Sequence, residues 1–276
     1  MNYSYKITLL IILFSTTILS SQEKLKGNKE VTIENRNISN FDKIEIIDDL
    51  DVKLVYNDNQ SVNVETDSNL QSSIITTLNN GTLSIRIRTK IVRKKELTVH
   101  INVNNHLKEI YGYNNSNIKS KNSLSIDSLT INAFDNSDIS LKLNSILVRI
   151  NSKKTSDLKF EILSDVVILR SEEASVIKGT IDAKETLVTT LDKSTIDIQG
   201  STDDFNIETL GNSTFKGKDF TAKYVLINAT NSSDAYLKAT ETIDIYAKNA
   251  SEVYIYSNPT ITVTEFFDKA SIYKKE

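Results

Sequence analysis

The sequence predicts an all-β fold: a right-handed parallel β-helix (β-solenoid) of about nine coils of ~19 residues behind an N-terminal β-rich cap. Three observations carry this. A serine returns every 18 to 21 residues from Ser116 on, and apolar residues recur at fixed offsets from it. Polar and apolar residues alternate between those positions with the period of a strand. A helical period fits none of the repeated segments.

Residues 1–21 read as a secretory signal peptide. Lys6 gives a positive start, Ile7 to Leu19 is apolar apart from Thr and Ser, and Ser20 and Ser21 precede the polar Gln22, Glu23 and Lys24. The apolar stretch is short for a membrane span, which needs about 20 residues. Cleavage also removes Lys6, taking the net charge from −3 to −4. Residues 22–40 form a lead-in.

Residues 41–105 carry strands outside the repeat register and read as the cap and first irregular coils. Ile44 and Ile46, then Val52, Leu54 and Tyr56, alternate with polar residues. So do Val62 and Val64, Leu83, Ile85 and Ile87, and the run Leu97, Val99, Ile101 and Val103. Asn57 to Asn59 and Asn79 to Gly81 are turn clusters. Asp67 to Leu78 accommodates a short helical turn with Asp67 as its cap. No Pro- or Gly-rich linker separates this region from the repeats, so cap and rod are expected to form one domain.

Residues 106–276 are the repeats. The serines are Ser116, Ser137, Ser156, Ser175, Ser194, Ser213, Ser233, Ser251 and Ser271. Two residues after them stand Ile118, Ile139, Leu158, Ile177, Ile196, Phe215, Ala235, Val253 and Tyr273. Six before them the residue is Ile, Leu or Val in every copy except the last, where it is Glu265. Four before them it is small, as in Gly112, Ala133, Ser152 and Ala229. Positions −8, −6 and −4 therefore face one side of a strand. Asn, Asp or Gly occupies −2 in most copies, as a corner with left-handed backbone requires. A unit this short cannot bury its own apolar face, so copies must stack. The aligned serines are expected to be small corner residues hydrogen-bonded up the stack.

Composition excludes several functions. With 33 basic and 36 acidic side chains, the chain offers no net positive surface for nucleic acid. It has no Cys, hence no disulfide, thiolate metal site or thiol nucleophile. No metal site or cofactor is expected. Only His100 and His106 supply imidazole, without metal-ligand spacing, and both read as surface or structural residues. Parallel β-helices host polysaccharide-cleaving enzymes, so paired acids matter. Glu173 and Asp192 share the −2 column, and Asp138 and Asp157 share +1. Both pairs fall at exposed corners where acids are ordinary residues; Lys154 before Glu173 makes the first a solvated charge ladder, and the second offers too few oxygens for the calcium site it would otherwise suggest.

Aromatic residues gather on the final coils. Tyr236 and Tyr254 fall at +3 on adjacent coils, Tyr246 and Phe266 at −5, and Tyr256 is near in sequence. They are the candidate binding residues, fit to stack on sugar rings or to bury against a protein. The same +3 column holds Lys119, Lys159, Lys178 and Lys216. The last coil breaks pattern and leaves room for oligomerisation through that end.

The runs Phe41 to Ile46, Asp51 to Tyr56 and Ser61 to Leu70, the turn and strand Asn80 to Ile85, and the repeated Ser-x-Ile units resemble a secreted bacterial family, the "putative auto-transporter adhesin, head GIN domain" family. The resemblance covers roughly residues 40–275 and implies a β-helix-like fold in the cell envelope. The expectation is an exported protein in the periplasm or at the outer membrane or surface of a Gram-negative bacterium. It would be a non-enzymatic binding or adhesion module whose partner is a surface glycan or an envelope protein. A polysaccharide-processing enzyme and a purely structural protein are the alternatives.

Overall fold

A computed structural model describes residues 24–38 and 40–276; the expected signal peptide lies outside them. The N-terminal strands are Lys24–Lys26 (β1), Val31–Arg36 (β2), Lys43–Ile46 (β3), Asp51–Tyr56 (β4), Ser61–Asp67 (β5), Ile74–Asn79 (β6), Thr82–Ile87 (β7), Lys90–Arg93 (β8) and Leu97–Val103 (β9). The repeats supply Glu109–Gly112 (β10), Asn117–Ser125 (β11), Ser128–Ala133 (β12), Asp138–Ser152 (β13), Asp157–Ser171 (β14), Val176–Thr190 (β15), Thr195–Leu210 (β16), Thr214–Thr230 (β17), Asp234–Lys248 (β18), Glu252–Tyr256 (β19), Thr260–Phe266 (β20) and Ser271–Lys275 (β21).

From β10 on, every pairing is parallel, and each coil but the last sits on its neighbour with the predicted columns aligned. The chain is a β-solenoid. Columns −8, −6 and −4 face its core: Val148, Ile150, Val167, Ile227, Ile243 and Ile245 have at most 1% of their surface exposed, as do the +2 residues from Ile118 to Val253. At roughly 25 cal/mol per Å2, stacking these columns is what holds a coil to its neighbours. Phe205, Phe215 and Phe220 cluster where the core widens, with Phe205 5.3 Å from each of the other two ring centres.

Each coil has one sharp corner. All nine −2 residues, from Asn114 to Lys269, have positive φ between 52° and 71°. Eight of the serines follow as buried side chains. Ser175 Oγ donates to the carbonyl of Ser152 on the preceding coil (3.0 Å), Ser194 to Ser171 (2.8 Å), Ser233 to Thr209 (3.0 Å) and Ser251 to Ala229 (2.9 Å). From Ser156 to Ser251 the serines are thus rungs between coils, whereas Ser116 and Ser137 are buried without a side-chain hydrogen bond.

The last coil departs from the expected register. Ser271 pairs with Glu252, so Ala270, not Ser271, stacks on the corner Ser251. Ile272 then takes the inward +2 place and Tyr273 moves to +3. A bulge before Glu265 puts Val263, not Glu265, beside Ile245. The apolar column is therefore unbroken: the corner at Ala270 and the extra residue of the bulge together move its member from Glu265 to Val263.

The cap differs more. β3 and β4 pair in parallel with β7 and β9 on one side and with β10 and β11 on the other. The coil at 43–56 is therefore wedged between a later segment, 82–103, and the first repeat. Antiparallel strands close the outer end: β6 lies on β7, and β5 lies between β9 and β2. The helical turn forms as a 3-10 helix at Ser68–Ser73. Its preceding residue, Asp67, does not cap it. The carboxylate turns inward and accepts from the backbone N–H of Lys95 (2.7 Å), Glu96 (3.4 Å) and Lys29, tying the lead-in to β9.

Candidate functional site

The +3 column is a continuous ladder along one outer face. In register it begins with His100, Lys53 and Lys119. It continues through Ser140, Lys159, Lys178 and Asp197. It ends with Lys216, Tyr236, Tyr254 and Tyr273. At the usual strand spacing these eleven positions span roughly 45–50 Å. Lys53 was not visible in the sequence pattern, because it belongs to the wedged coil.

The tyrosines stack as a ladder. Tyr236 and Tyr254 are parallel within 5°, with centres 4.5 Å apart, and Tyr273 follows at 4.9 Å. Tyr254 donates its hydroxyl to Glu252. That bond, with burial, pushes the Tyr254 phenol well above its ordinary range. Burial, then Glu252 one coil on, pushes the Asp234 carboxyl up. Lys275 Nζ lies 5.0 Å from the Tyr254 ring centre and 5.5 Å from that of Tyr273. Such pairs contribute about 0.5–1 kcal/mol each at exposed sites.

Tyr236 and Tyr256 form one end of a groove of about 650 Å3. Its sides are the lysine part of the same column, Lys159, Lys178 and Lys216, together with Lys218 and the carboxylates Glu161, Asp197 and Asp219. Lys218 and Asp219 belong to a register shift in β17 between Lys216 and Thr221, which breaks the flat sheet and raises a wall. Gly179 lies along the groove, where a Cβ would stand 2.1 Å from the carbonyl oxygen of Phe160. Any other residue there would push the two coils apart.

Three of the five candidate residues, Tyr236, Tyr254 and Tyr256, therefore share one region. Tyr246 and Phe266 lie on the other side of the corner, in β18 and β20. Tyr246 does not pair with Phe266: it stands opposite Glu265, packs edge-on against Phe267 at 6.4 Å and accepts from Lys248 (2.9 Å). Phe266 is half exposed. Tyr273 is the site residue that the sequence pattern missed.

The acids behave as corner residues. Glu173 and Asp192 both have φ 61° and point to solvent away from the groove. Asp138 and Asp157 are register neighbours on the exposed +1 column. His100 Nε2 lies 2.8 Å from Glu65, and exposed His106 holds no side-chain partner among the described residues. Among those residues, no three His, Asp or Glu side chains come together as a metal site would require. None of their helices is long and apolar enough to cross a membrane.

Fold and groove together define a class, a β-solenoid that displays side-chain ladders on its outer faces. The chain belongs to the family described as "putative auto-transporter adhesin, head GIN domain", which matches residues 40–259. Solved structures share the fold. A "putative lipid binding protein" from Parabacteroides distasonis superposes with a TM-score of 0.66 at 17% identity. A "putative adhesin" from Parabacteroides merdae gives 0.64 at 14%. A further "putative adhesin" from P. distasonis gives 0.62 at 12%. Each alignment covers 92% of this chain and all of the other. No curated protein sequence matches the chain.

Proposed function

We propose that the protein is exported to the bacterial envelope and acts there as a non-enzymatic binding or adhesion module, with the groove at Tyr236 and Tyr256 as its ligand site. The observation that carries this is the meeting of an aromatic platform and a lysine row in one open groove. Tyr254 covers one face of Tyr236, and the groove lies on the other side, which suits stacking against a sugar ring or an apolar partner surface. The family's name and those of the structural relatives point the same way. Glu173 and Asp192 lie outside the groove at exposed corners, and the carboxylates that do line it, Glu161, Asp197 and Asp219, stand among its lysines, with Glu161 paired to Lys142.

Adherence of the purified chain to surfaces coated with single glycans or envelope fractions tests the reading. The double variant Tyr236→Ala/Tyr256→Ala is expected to lose adherence while its β-sheet circular dichroism is retained. Unchanged adherence would remove the groove from the function. Cleavage of any polysaccharide that depended on Glu173 and Asp192 would replace the binding reading with an enzymatic one. Labelling of surface amines on intact cells checks the location: a chain protected until the outer membrane is opened is not a surface adhesin.

A further inference from the structure

Charge along the rod is arranged in two ways. On several outer columns a lysine meets an acid one coil away: Lys142 with Glu161 (2.8 Å), Lys153 with Glu172 (2.7 Å), Lys184 with Asp165 (2.8 Å) and Lys223 with Asp203 (2.6 Å). The +3 column does the opposite. Lys53 stands directly on Lys119, and Lys159 directly on Lys178. Neither these four nor Lys216 has an acidic partner within 4.0 Å among the described residues. Like charges directly opposite on adjacent strands are destabilising. Beside it the +1 column stacks Asp138 on Asp157 and Asp234 on Glu252, so the outer face carries a row of unpaired lysines next to a shorter acidic one.

We infer that this column binds a linear acidic polysaccharide, with carboxylate-bearing sugars, lying along the rod axis and ending against Tyr236. The inference rests on the groove's being the ligand site. Successive coils are about 4.8 Å apart, close to the length of one sugar ring, so a chain lying along the axis meets a fresh side chain at each residue. The lysines supply charge-assisted hydrogen bonds to its carboxylates. Ser140 and Asp197 interrupt the row and accept hydrogen bonds from hydroxyls. Asp197, between Lys178 and Lys216, requires a hydroxyl rather than an acid at that step, which a uronate chain supplies by turning that ring's carboxylate away and a duplex with a phosphate at every step does not. The net charge of −3 further disfavours nucleic acid.

Affinity electrophoresis of the full mature chain through gels holding polygalacturonate, alginate, neutral dextran or duplex DNA tests this. Retardation is expected in at least one of the two uronate gels, weakening with salt. Lys159→Gln/Lys178→Gln is expected to weaken it roughly tenfold or more. Lys159→Glu is the folding control. It places an acid beside Lys178, so melting is expected at the same or a higher temperature while retardation is lost. Lys-dependent retardation in DNA equal to that in uronates would overturn the glycan assignment. Tyr236-dependent binding of dextran, indifferent to the lysines, would overturn this inference and leave the groove's binding role standing. Failure of every gel, together with adherence unaffected by the Tyr236 and Tyr256 changes, would end both.

Discussion

The two ends of the rod solve the same problem differently. At the N-terminal end the chain reverses direction: β2, β5 and β6 run antiparallel to their neighbours and cover the first coil. Buried polar groups fasten this cover. Asp67 and Gln71 are at most 4% exposed, with Gln71 donating to the carbonyls of Thr32 and Val64 and accepting from Arg36. At the C-terminal end β20 is exposed along its whole length, and Ile261 and Val263, although in the core columns, are nearly half exposed. Aromatic rings and lysines on the outer faces hold the last coil, through Tyr254 on Tyr273 and Lys248 near Phe267. The cap is fastened from within by hydrogen bonds to a charge, the open end from without by stacking.

That contrast orders the expected effects of substitution. Asp67→Ala comes first. It leaves three backbone N–H groups without their acceptor, at a cost on the order of 2–4 kcal/mol in chemical denaturation. Hydrogen exchange should rise through β2 and around Lys95. Acidification acts on the same residue. Burial pushes the Asp67 carboxyl up, but the N–H groups of Lys95, Lys29 and Glu96 outweigh it and hold it below the ordinary carboxylate range. Its contribution is thus complete above that range and disappears as pH falls through the depressed value. Glu109, lowered chiefly by its bond from Tyr111, and Glu172, lowered by Lys153 and Arg170 against the opposing effect of burial, act in the same direction. The difference between wild type and Asp67→Asn across that pH range isolates the cap. An unchanged difference would mean the cap is held by something else.

At the open end, Tyr254→Ala removes two ring stacks and should loosen the last coil by about 1–3 kcal/mol. It should be seen as faster exchange confined to residues 260–275, with the cap unaffected. Lys275→Ala is the smallest, about 0.5 kcal/mol, and fades at high salt. Equal protection of residues 260–275 and of the cap in the wild-type chain would erase the distinction between the ends.

The rod was legible in the sequence because its physics is periodic. One buried column per coil, one left-handed corner and one small corner residue each recur at nearly constant spacing, and the same spacing places Tyr236 on Tyr254. The cap was not, because its pairings join segments at unequal separations. Lys43 meets Thr82 on one side and Glu109 on the other, and no period relates them. The slip of the last coil was hidden because Ser271 stands one residue past the true corner. That shift concealed Tyr273, and the wedged coil concealed Lys53. The groove needed the structure, since its wall comes from the irregular register of β17.

The wedged coil also governs how the chain can assemble. Residues 43–56 complete one edge with strands that come later in the chain and the other with residues 66 positions further along. A chain emerging from its N-terminus cannot zip up turn by turn: this coil waits unpaired until residues 82–125 have appeared. Closing such long loops is slow, so assembly of the N-terminal end sets the pace and the remaining coils add quickly onto it. Under mechanical load the order reverses. Pulled from its C-terminus the rod peels one turn at a time, whereas coil 43–56, gripped on both sides, yields only when its neighbours part, like a keystone in an arch.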